Sequence, residues 1–268
     1  MAFATSLTPN SGYVSTYIDS LIWGCQWTNS SGSYGTGSTN TPIVISYSFG
    51  SGNFVPGLDI QNFGIYSGFG NVWTNSETAT IDLALQKLVS VCNVSFVKSN
   101  YTTRESNQTN IVLYKETYYS SQEGFAGYAE VPDGLSGYFG SYNIYLNNNL
   151  STWTNLTPGS YGFYTVIHEL GHSLGLAHPH DGGDQDPTIF PGVTSSSSEG
   201  QYAMNQGIWT MMSYNSDWTS QPAPSNLSYG SAMGPMALDI AALQRIYGAN
   251  TNFATGNDIY YLPASNNL

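Results

Sequence analysis

The chain has 268 residues, and 40% of them are hydrophobic by a count that includes tyrosine. This length and composition suit one large domain or two small domains that share a cleft, and they exclude a disordered chain. Only 8% of the residues are charged, and five basic against 17 acidic side chains give a net charge of −12. Such a surface repels nucleic acid and anionic membranes, so we expect neither as a partner.

The sequence bears on two further properties, the export of the chain and the redox state of its two cysteines. No stretch approaches the roughly 18 apolar residues of a membrane-spanning helix, and residues 1–24 lack the basic flank of a secretory leader. We therefore expect any export to use another signal or one that has been lost. Cys25 and Cys92 are too few for a disulfide scaffold. Three alternatives stay open: one bridge, two buried thiols, or Cys25 as a thiolate that holds a metal in a latent state.

The N-terminal part is predicted to contain a helix, a linker and a strand. Residues 13–27 carry apolar side chains at helical spacing, which predicts a short docking helix that ends at Gly24. Residues 28–41 are rich in Gly and Ser without apolar periodicity, which predicts a mobile linker. Residues 42–49 are β-branched and aromatic and predict a strand, whereas the Gly-rich residues 50–71 predict a loop.

A second helix is predicted after this loop. It begins at a cap on Asn75 or Ser76 and ends near residue 91. Asp82 and Gln86 lie on its polar face. The apolar stripe that must cover a sheet consists of Ile81, Leu85, Leu88 and Val89.

Four short β-rich segments and two helices complete the prediction. Pro132 follows the third of these segments and marks it as an edge strand, because proline cannot donate a ladder hydrogen bond. Residues 161–174 predict a helix, and residues 235–247 predict another, with Pro235 near its first turn and Gly248 just past its end. The predicted strands are residues 94–98, 111–115, 127–131 and 142–146.

All four histidines of the chain lie within the 13 positions from 168 to 180. Residues 168–178 read HELGHSLGLAH, which is the pattern HExxHxxGxxH. His168 and His172 stand one helical turn apart on one face, so both imidazoles can reach one zinc ion at about 2.0 to 2.1 Å. Gly175 can adopt the left-handed conformation that ends the helix, which brings His178 back as the third ligand.

Three neutral imidazoles leave one coordination position for water, which is typical of a catalytic zinc site. Glu169 lies beside the metal and is predicted to take a proton from the metal-activated water and deliver it to the leaving amine. The predicted reaction is hydrolysis of a peptide bond. The alternative is an amphipathic helix whose histidines are surface residues, and it requires three histidines and a turn glycine to coincide by accident.

Together with a methionine downstream, the motif resembles the metzincins, a clan of zinc endopeptidases. In the segment TMMSY, Met212 would form an apolar floor under the metal. Within the clan the chain is similar to the serralysins, which are secreted bacterial proteases. The similar features are Pro179 after the third histidine, the MSY turn at 212–214, and residues 17–24, 238–250 and 255–262, which resemble the family's N-terminal helix, closing helix and the start of its calcium-binding β-roll.

The resemblance implies further roles. Tyr214 is implied as an additional zinc ligand that swings away to donate a hydrogen bond to the transition-state oxyanion, with a plain core tyrosine as the alternative. Residues 127–132, GYAEVP, resemble the edge strand that pairs with an extended substrate through backbone hydrogen bonds. The implied substrate-binding residues are Tyr128, Ala129, Glu130 and Val131.

The sequence also departs from the serralysin pattern. His180 stands where serralysins commonly have glycine, and it is either a surface residue, a group that supports the ligands, or a competitor for the metal. Leu238 replaces the first of two adjacent aspartates, so a buried contact to the methionine turn must come from Asp239 or from elsewhere. An acidic loop could bind calcium through Asp181, Asp184 and Asp186. The alternative is that these side chains are only hydrated by solvent.

The predicted fold is an α+β, metzincin-like protease domain. It has a twisted, mostly parallel sheet of about five strands, an antiparallel edge strand, an active-site helix and a small irregular C-terminal subdomain. The predicted segments are residues 1–41, a helix and linker; residues 42–178, the upper catalytic subdomain; and residues 179–268, the lower subdomain with the methionine turn and closing helix.

The predicted function is that of a secreted, monomeric zinc endopeptidase that cleaves extended protein or peptide substrates. One alternative is a catalytically silent module that binds peptides on the same fold. A second alternative is a zinc enzyme that acts on a bond other than the peptide bond.

Overall fold

The computed structural model describes most of the chain, in ten stretches. The predicted loop at 50–71 and most of the predicted linker at 28–41 lie outside the described residues. The described residues are 2–6, 15–29, 41–50, 72–101, 109–116, 126–133, 142–183, 188–215, 228–257 and 259.

Strands dominate the first half of the chain, and the two helices that shape the site follow later. Short 3₁₀ turns at Ser151–Thr154 and Gln201–Ala203 lie in the connections. In chain order the elements are β1 (Phe3–Ser6), α1 (Thr16–Asp19), β2 (Cys25–Thr28), β3 (Ile43–Phe49), α2 (Asn75–Val89), β4 (Val94–Lys98), β5 (Ile111–Glu116), β6 (Gly127–Ala129), β7 (Tyr142–Asn147), α3 (Tyr161–Ser173) and α4 (Ala237–Tyr247).

A five-stranded sheet in the order β4-β3-β5-β7-β6 forms the scaffold. Its first four strands are parallel, and β6 runs antiparallel to β7 at the edge. Central positions such as Ile45, Leu113 and Leu146 are fully buried, as expected for parallel strands covered on both faces. The predicted mostly parallel sheet with an antiparallel edge strand is therefore confirmed.

Helix α2 confirms the prediction except at its cap, which is Thr74 and neither Asn75 nor Ser76. Thr74 has an extended backbone, and its Oγ1 accepts from the Glu77 amide at 3.2 Å. The Glu77 carboxylate accepts in return from the Thr74 amide at 2.7 Å, which completes a capping box. Glu77 also forms a partly buried ion pair with Lys115 at 2.9 Å, so this helix end is fixed to β5.

The N-terminal helix prediction was wrong over most of its length. Helix α1 is a single turn, and Cys25–Thr28 forms β2, which pairs antiparallel with β1, a strand that was not predicted. The reason is tertiary, because the Trp23 amide donates to the Gly175 carbonyl at 2.9 Å and cannot continue a helix. Gly24 has φ +93° and turns the chain into β2.

The two cysteines are not joined in a disulfide. Both lie in the core, and the Cys92 thiol donates to the Leu88 carbonyl at 3.4 Å. Burial raises the pKa of Cys92 to about 12. Of the three alternatives for this pair, the structure matches two buried thiols. In the described part of the chain, none of the helices has the length and apolar character needed to cross a bilayer.

Replacing Thr74 by alanine removes the helix cap and leaves the apolar face of α2 unchanged. We expect Thr74→Ala to lower the free energy of unfolding by about 1 kcal/mol, measured by urea denaturation. Thr78→Ala is the matched control, because Thr78 lies inside the same helix and its hydroxyl donates only to the Asn75 carbonyl. Equal losses in the two variants would contradict the capping role of Thr74.

Candidate metal centre

Helix α3 holds the first two histidines of the motif on one face. Its N-cap, Ser160, accepts from the Phe163 amide at 3.2 Å, and the helix from residue 162 onward is buried. A buried helix surrounded by packed neighbours cannot rotate, so its side chains have fixed positions. The rings of His168 and His172 stand 4.9 Å apart.

The turn after α3 depends on Gly175, which has φ +87°. A Cβ atom at this position would lie 2.4 Å from the Cys25 carbonyl oxygen, so a side chain is excluded for space as well as for conformation. Strand β2 and the residues before it therefore pack directly on the turn. The Ala177 amide, which donates to the Leu21 carbonyl at 3.0 Å, fixes the chain just before His178.

The three predicted ligand nitrogens meet at one point. The Nε2 atom of His178 lies 3.0 Å from the Nε2 atom of His168 and 3.0 Å from that of His172. Each ring is oriented through its other nitrogen. The Nδ1 atom of His168 contacts the Met211 carbonyl at 2.7 Å. His172 contacts the Leu176 carbonyl in the same way at 2.8 Å, and His178 contacts the Asp181 carboxylate at 2.5 Å.

These partners fix the tautomer of each ring. A carbonyl or carboxylate oxygen only accepts, so the proton of each neutral imidazole lies on Nδ1 and each Nε2 presents a lone pair. Burial lowers the pKa of His168 to about 4 and also lowers the pKa of His172 and His178, which keeps all three rings neutral at neutral pH. Three lone pairs that face one another without a proton fit a cation, and three neutral imidazoles with oriented Nδ1 atoms fit zinc.

Glu169 is buried next to this cluster, under the edge strand. A Cβ atom on Gly127 of β6 would lie 2.8 Å from the Glu169 Oε1 atom, so β6 passes directly over the carboxyl group. Burial raises the pKa of Glu169 to about 8. The carboxyl group is thus confined between helix and strand and has a proton affinity far above that of an ordinary glutamate.

The methionine turn forms the opposite wall of the cluster. Met211 and Met212 are fully buried, and a Cβ atom on Gly171 would lie 2.8 Å from a side-chain atom of each. The turn is held by Asp239, which accepts from the Thr210 hydroxyl at 2.6 Å and from the Met211 amide at 2.7 Å. The contact to the turn thus comes from Asp239, which was one of the two expected sources.

Tyr214, the expected additional ligand, lies over the cluster. Its ring centroid is 4.6 Å from that of His178 and 6.1 Å from that of His168, and its outer side is exposed. Desolvation, and then the charges of Glu169 and Asp181, raise the pKa of Tyr214 to about 12. Its hydroxyl is therefore protonated at neutral pH and able to donate.

The four expected substrate-binding residues do not share one environment. Tyr128 is 37% exposed and its ring stacks on Tyr145 across the β6/β7 pair, with ring centroids 6.3 Å apart. Ala129 is buried, and β6 ends there, two residues earlier than predicted. Glu130 is also buried. Its carboxylate accepts from the backbone amide of Asn143 in β7 at 2.9 Å, so this side chain stabilises the pairing of the two strands. Val131 follows in the connection to Pro132.

The acidic loop is only partly described. Asp184 and Asp186 lie outside the described residues, so the calcium site remains a prediction. Asp181 contacts His178, as given above. His180 is half-buried beside the cluster, with its ring stacked on that of His178 at 5.1 Å.

Several features of the site have no counterpart in the sequence analysis. The carbonyl groups of Met211 and Leu176 orient two ligands, but any residue type can supply a carbonyl. Gly127 passes over Glu169, and a glycine inside a predicted edge strand was the one clue to a close approach. The role of Asp181 was visible only as its short distance in sequence from His178.

This geometry defines a class: a metal site of three histidines on a helix and its following turn, with a buried carboxyl group beside it. The sequence pattern of metallo-peptidase family M12 matches residues 61–228. The chain therefore belongs to this family, and the identification of the motif as that of a metallopeptidase is confirmed.

Curated relatives include serralysins, which confirms the resemblance drawn from the sequence. The chain is 35% identical to metallopeptidase AprA of Pseudomonas marginalis over 72% of its own length and 38% of the relative's. It is 38% identical to serralysin C of Dickeya chrysanthemi over 51% of its own length and 26% of the relative's, and 34% identical to serralysin of Proteus mirabilis over 64% and 32%. The matched part thus spans about a third of these relatives.

Among solved structures, High choriolytic enzyme 1 from the medaka fish Oryzias latipes, a hatching enzyme zinc-protease, overlaps 83% of this chain and 98% of its own. The sequence identity is 16% and the TM-score is 0.41, a similarity too low to support conclusions about this chain.

Removing the Asp239 carboxylate leaves the donors of the methionine turn without their partner. We expect Asp239→Ala to lower the free energy of unfolding by about 3 kcal/mol or more, because each buried unsatisfied donor costs about 1 to 3 kcal/mol. Asp239→Asn is the matched control. Its oxygen can still accept from the backbone amides, so we expect a loss nearer 1 kcal/mol. Equal losses would contradict the role of the hydrogen bonds.

The difference in stability between the wild type and Asp239→Asn is expected to depend on pH. Burial raises the pKa of Asp239 from 3.8 to about 6 in the folded chain, so folding favours its protonated form. Its favourable contribution is complete below pH 3.8 and is lost as the pH rises through about 6. Asp239→Asn lacks this titration, so the stability difference between wild type and variant should shrink from pH 4 to pH 7 in urea denaturation. A difference that grows with pH would contradict this assignment.

Proposed function

We propose that the chain is a zinc-dependent endopeptidase that hydrolyses peptide bonds in extended protein substrates. The observation that carries the proposal is the convergence of three ligand nitrogens. The Nε2 atoms of His168 and His172 each lie 3.0 Å from the Nε2 atom of His178. In this proposal His168, His172 and His178 hold the metal. When bound, zinc supplies polarisation of the scissile carbonyl and an acidified water.

Glu169 is proposed as the general base and acid. It is adjacent to His168 in sequence and buried, and it is near enough to Tyr214 for its charge to raise the pKa of that tyrosine. These observations support a carboxyl group within reach of the proton that must be removed. A nearby positive charge favours the ionised carboxylate, which is the form that accepts the proton. The high proton affinity that burial gives to Glu169 then suits it to hold the proton until the amine leaves.

Tyr214 is proposed as the switchable residue. Its ring lies 6.1 Å from that of His168 and 4.6 Å from that of His178, which supports a hydroxyl that can reach the metal's surroundings. A phenol can contribute to the metal's surroundings at rest and donate a hydrogen bond where negative charge develops on the substrate oxygen. The exposed outer side of the ring leaves room for the movement that this change of role requires.

The substrate is proposed to pair with β6. This strand ends the described sheet, and its Gly127 lies directly over Glu169, so a peptide along β6 would pass the site where the proton is moved. Tyr128, Ala129 and Val131 are proposed to contribute backbone groups. Glu130 contributes neither its side chain nor its N–H group in this proposal, because its carboxylate accepts from the Asn143 amide and its own amide donates to the Asn143 carbonyl, both at 2.9 Å.

The proposed subdomains correspond to the two walls of this site. The segment at 42–178 contributes the sheet, α3 and the histidines, and the segment at 179–268 contributes the methionine turn and α4. The described part of the segment at 1–41 packs into the same core, where Leu21 and Trp27 are buried. Secretion, which the serralysin resemblance implies, and a monomeric state both stay predictions.

The silent binding module and a different zinc-dependent reaction are the competing proposals. Glu169 disfavours the first, because a module that only binds has no use for a buried carboxyl group beside the metal ligands. The edge strand above that carboxyl group disfavours the second, because it offers an extended main chain a place to pair.

The decisive variant is Glu169→Ala. We expect it to retain zinc, measured by elemental analysis, and to lose casein cleavage by at least the 100- to 10,000-fold typical of a lost general base. Glu169→Gln keeps the shape of the side chain and should lose activity to a similar extent. His172→Ala is the comparison that loses both zinc and activity. Full activity in Glu169→Ala would rule out the assigned mechanism.

Gly127→Ala tests the contact between the edge strand and Glu169. The added methyl group meets the carboxyl group of Glu169 and must displace it, and a displacement of about 1 Å can cost about 100-fold in rate. We expect kcat to fall by about this factor while zinc content stays unchanged. Gly234→Ala is the control, because its Cβ lies 3.7 Å from the nearest side-chain atom, an ordinary contact. Unchanged kcat in Gly127→Ala would contradict the close contact.

A further inference from the structure

His180 has an environment that the proposed peptidase chemistry does not explain. Its ring lies nearly parallel to that of His178, with an angle of 16° between the planes, and 4.8 Å from the ring of Tyr214. Its Nδ1 atom is buried and has no hydrogen-bond partner among the described residues. A buried polar atom without a partner costs about 1 to 3 kcal/mol, so its presence needs a compensating ligand or function.

Asp181 supplies the second group at this position. Its Oδ2 atom holds the Nδ1–H group of His178 at 2.5 Å, and a carboxylate has a second oxygen that can act at the same time. One ligand atom from each of His178, His180 and Asp181 lies within 4.8 Å of the others. Because His178 directs its Nε2 atom to the first cluster, the groups that belong to a second ion are His180 and Asp181.

We propose that His180 and Asp181 form a second zinc position next to the three-histidine cluster, weaker than the first, at which excess zinc inhibits the peptidase. An imidazole and a carboxylate are ordinary zinc ligands, whereas a calcium site would consist of oxygen atoms alone. Two protein ligands against three account for the weaker binding. The inhibitory effect rests on the proposed peptidase function, whereas the binding itself does not.

Inhibition follows from the position of the pair. An ion held by His180 lies beside Tyr214, the residue proposed to move during the reaction. It also engages Asp181, the residue that orients the His178 ring. Because Tyr214 is also the residue proposed to donate to the substrate oxygen, a second cation held by His180, whose ring lies 4.8 Å from that of Tyr214, would restrict both the tyrosine and the substrate.

The test counts zinc ions. Apoprotein is titrated with zinc alone by calorimetry and by equilibrium dialysis with elemental analysis, for the wild type, His180→Phe and His172→Ala. Phenylalanine keeps a ring to stack on His178 and removes both nitrogens. We expect one tight and one weak equivalent in the wild type. The weak equivalent should disappear in His180→Phe or bind at least about 10- to 100-fold more weakly, since even outer partners of a metal contribute that much.

The two proposals fail in different ways. A single equivalent in the wild type, or an unchanged weak equivalent in His180→Phe, would overturn the second site. A tight equivalent that persists in His172→Ala would instead overturn the first site and the proposed function. The activity of each protein, relative to its own value with one equivalent, provides the second measurement. Excess zinc should inhibit the wild type at concentrations that leave His180→Phe unaffected, and equal inhibition would contradict the regulatory role.

Discussion

The site depends on one constraint: three imidazole rings are held with their Nδ1 protons directed outward and their Nε2 lone pairs directed at one another. Two backbone carbonyls and one carboxylate impose this arrangement. Converging lone pairs on neutral rings repel one another and attract a cation. The energy for this arrangement comes from the surrounding fold, because α3 is buried along its length and cannot turn its histidines away.

Much of the scaffold follows from local sequence pattern. The strands β3, β5 and β7 were predicted to within one residue, because buried parallel strands consist of nearly continuous β-branched and aromatic runs. Helix α3 was predicted from the spacing of its histidines and from Gly175. The N-terminal region could not be predicted in the same way. There the backbone of Trp23 pairs with the turn after α3, and this long-range contact overrides the helical spacing of residues 13–27.

In the site, too, local features could be predicted from the sequence and long-range contacts could not. The ligand residues are chemically distinctive and their spacing reflects helix geometry, so the sequence was sufficient to name them. Their orienting partners are mostly main-chain atoms, which leave no trace in residue type. Likewise, the contact between Gly127 and Glu169 joins residues that are distant in sequence, and it becomes apparent only when the sheet and the helix are packed together. Asp239 lies between these cases, since its motif was recognised but its three hydrogen bonds were not.

The contact between β2 and the turn after α3 also has a consequence for the order of assembly. The Trp27 indole donates to the Ser173 carbonyl across 146 residues of chain, and Cys25 fills the space that Gly175 leaves open. The third histidine is thus held against a segment synthesised long before it. Because this contact joins segments that are far apart in sequence, we expect the cluster to be completed late in folding. An isolated peptide carrying the histidine motif lacks this support, so the motif supplies the ligands and the distant strand supplies their geometry.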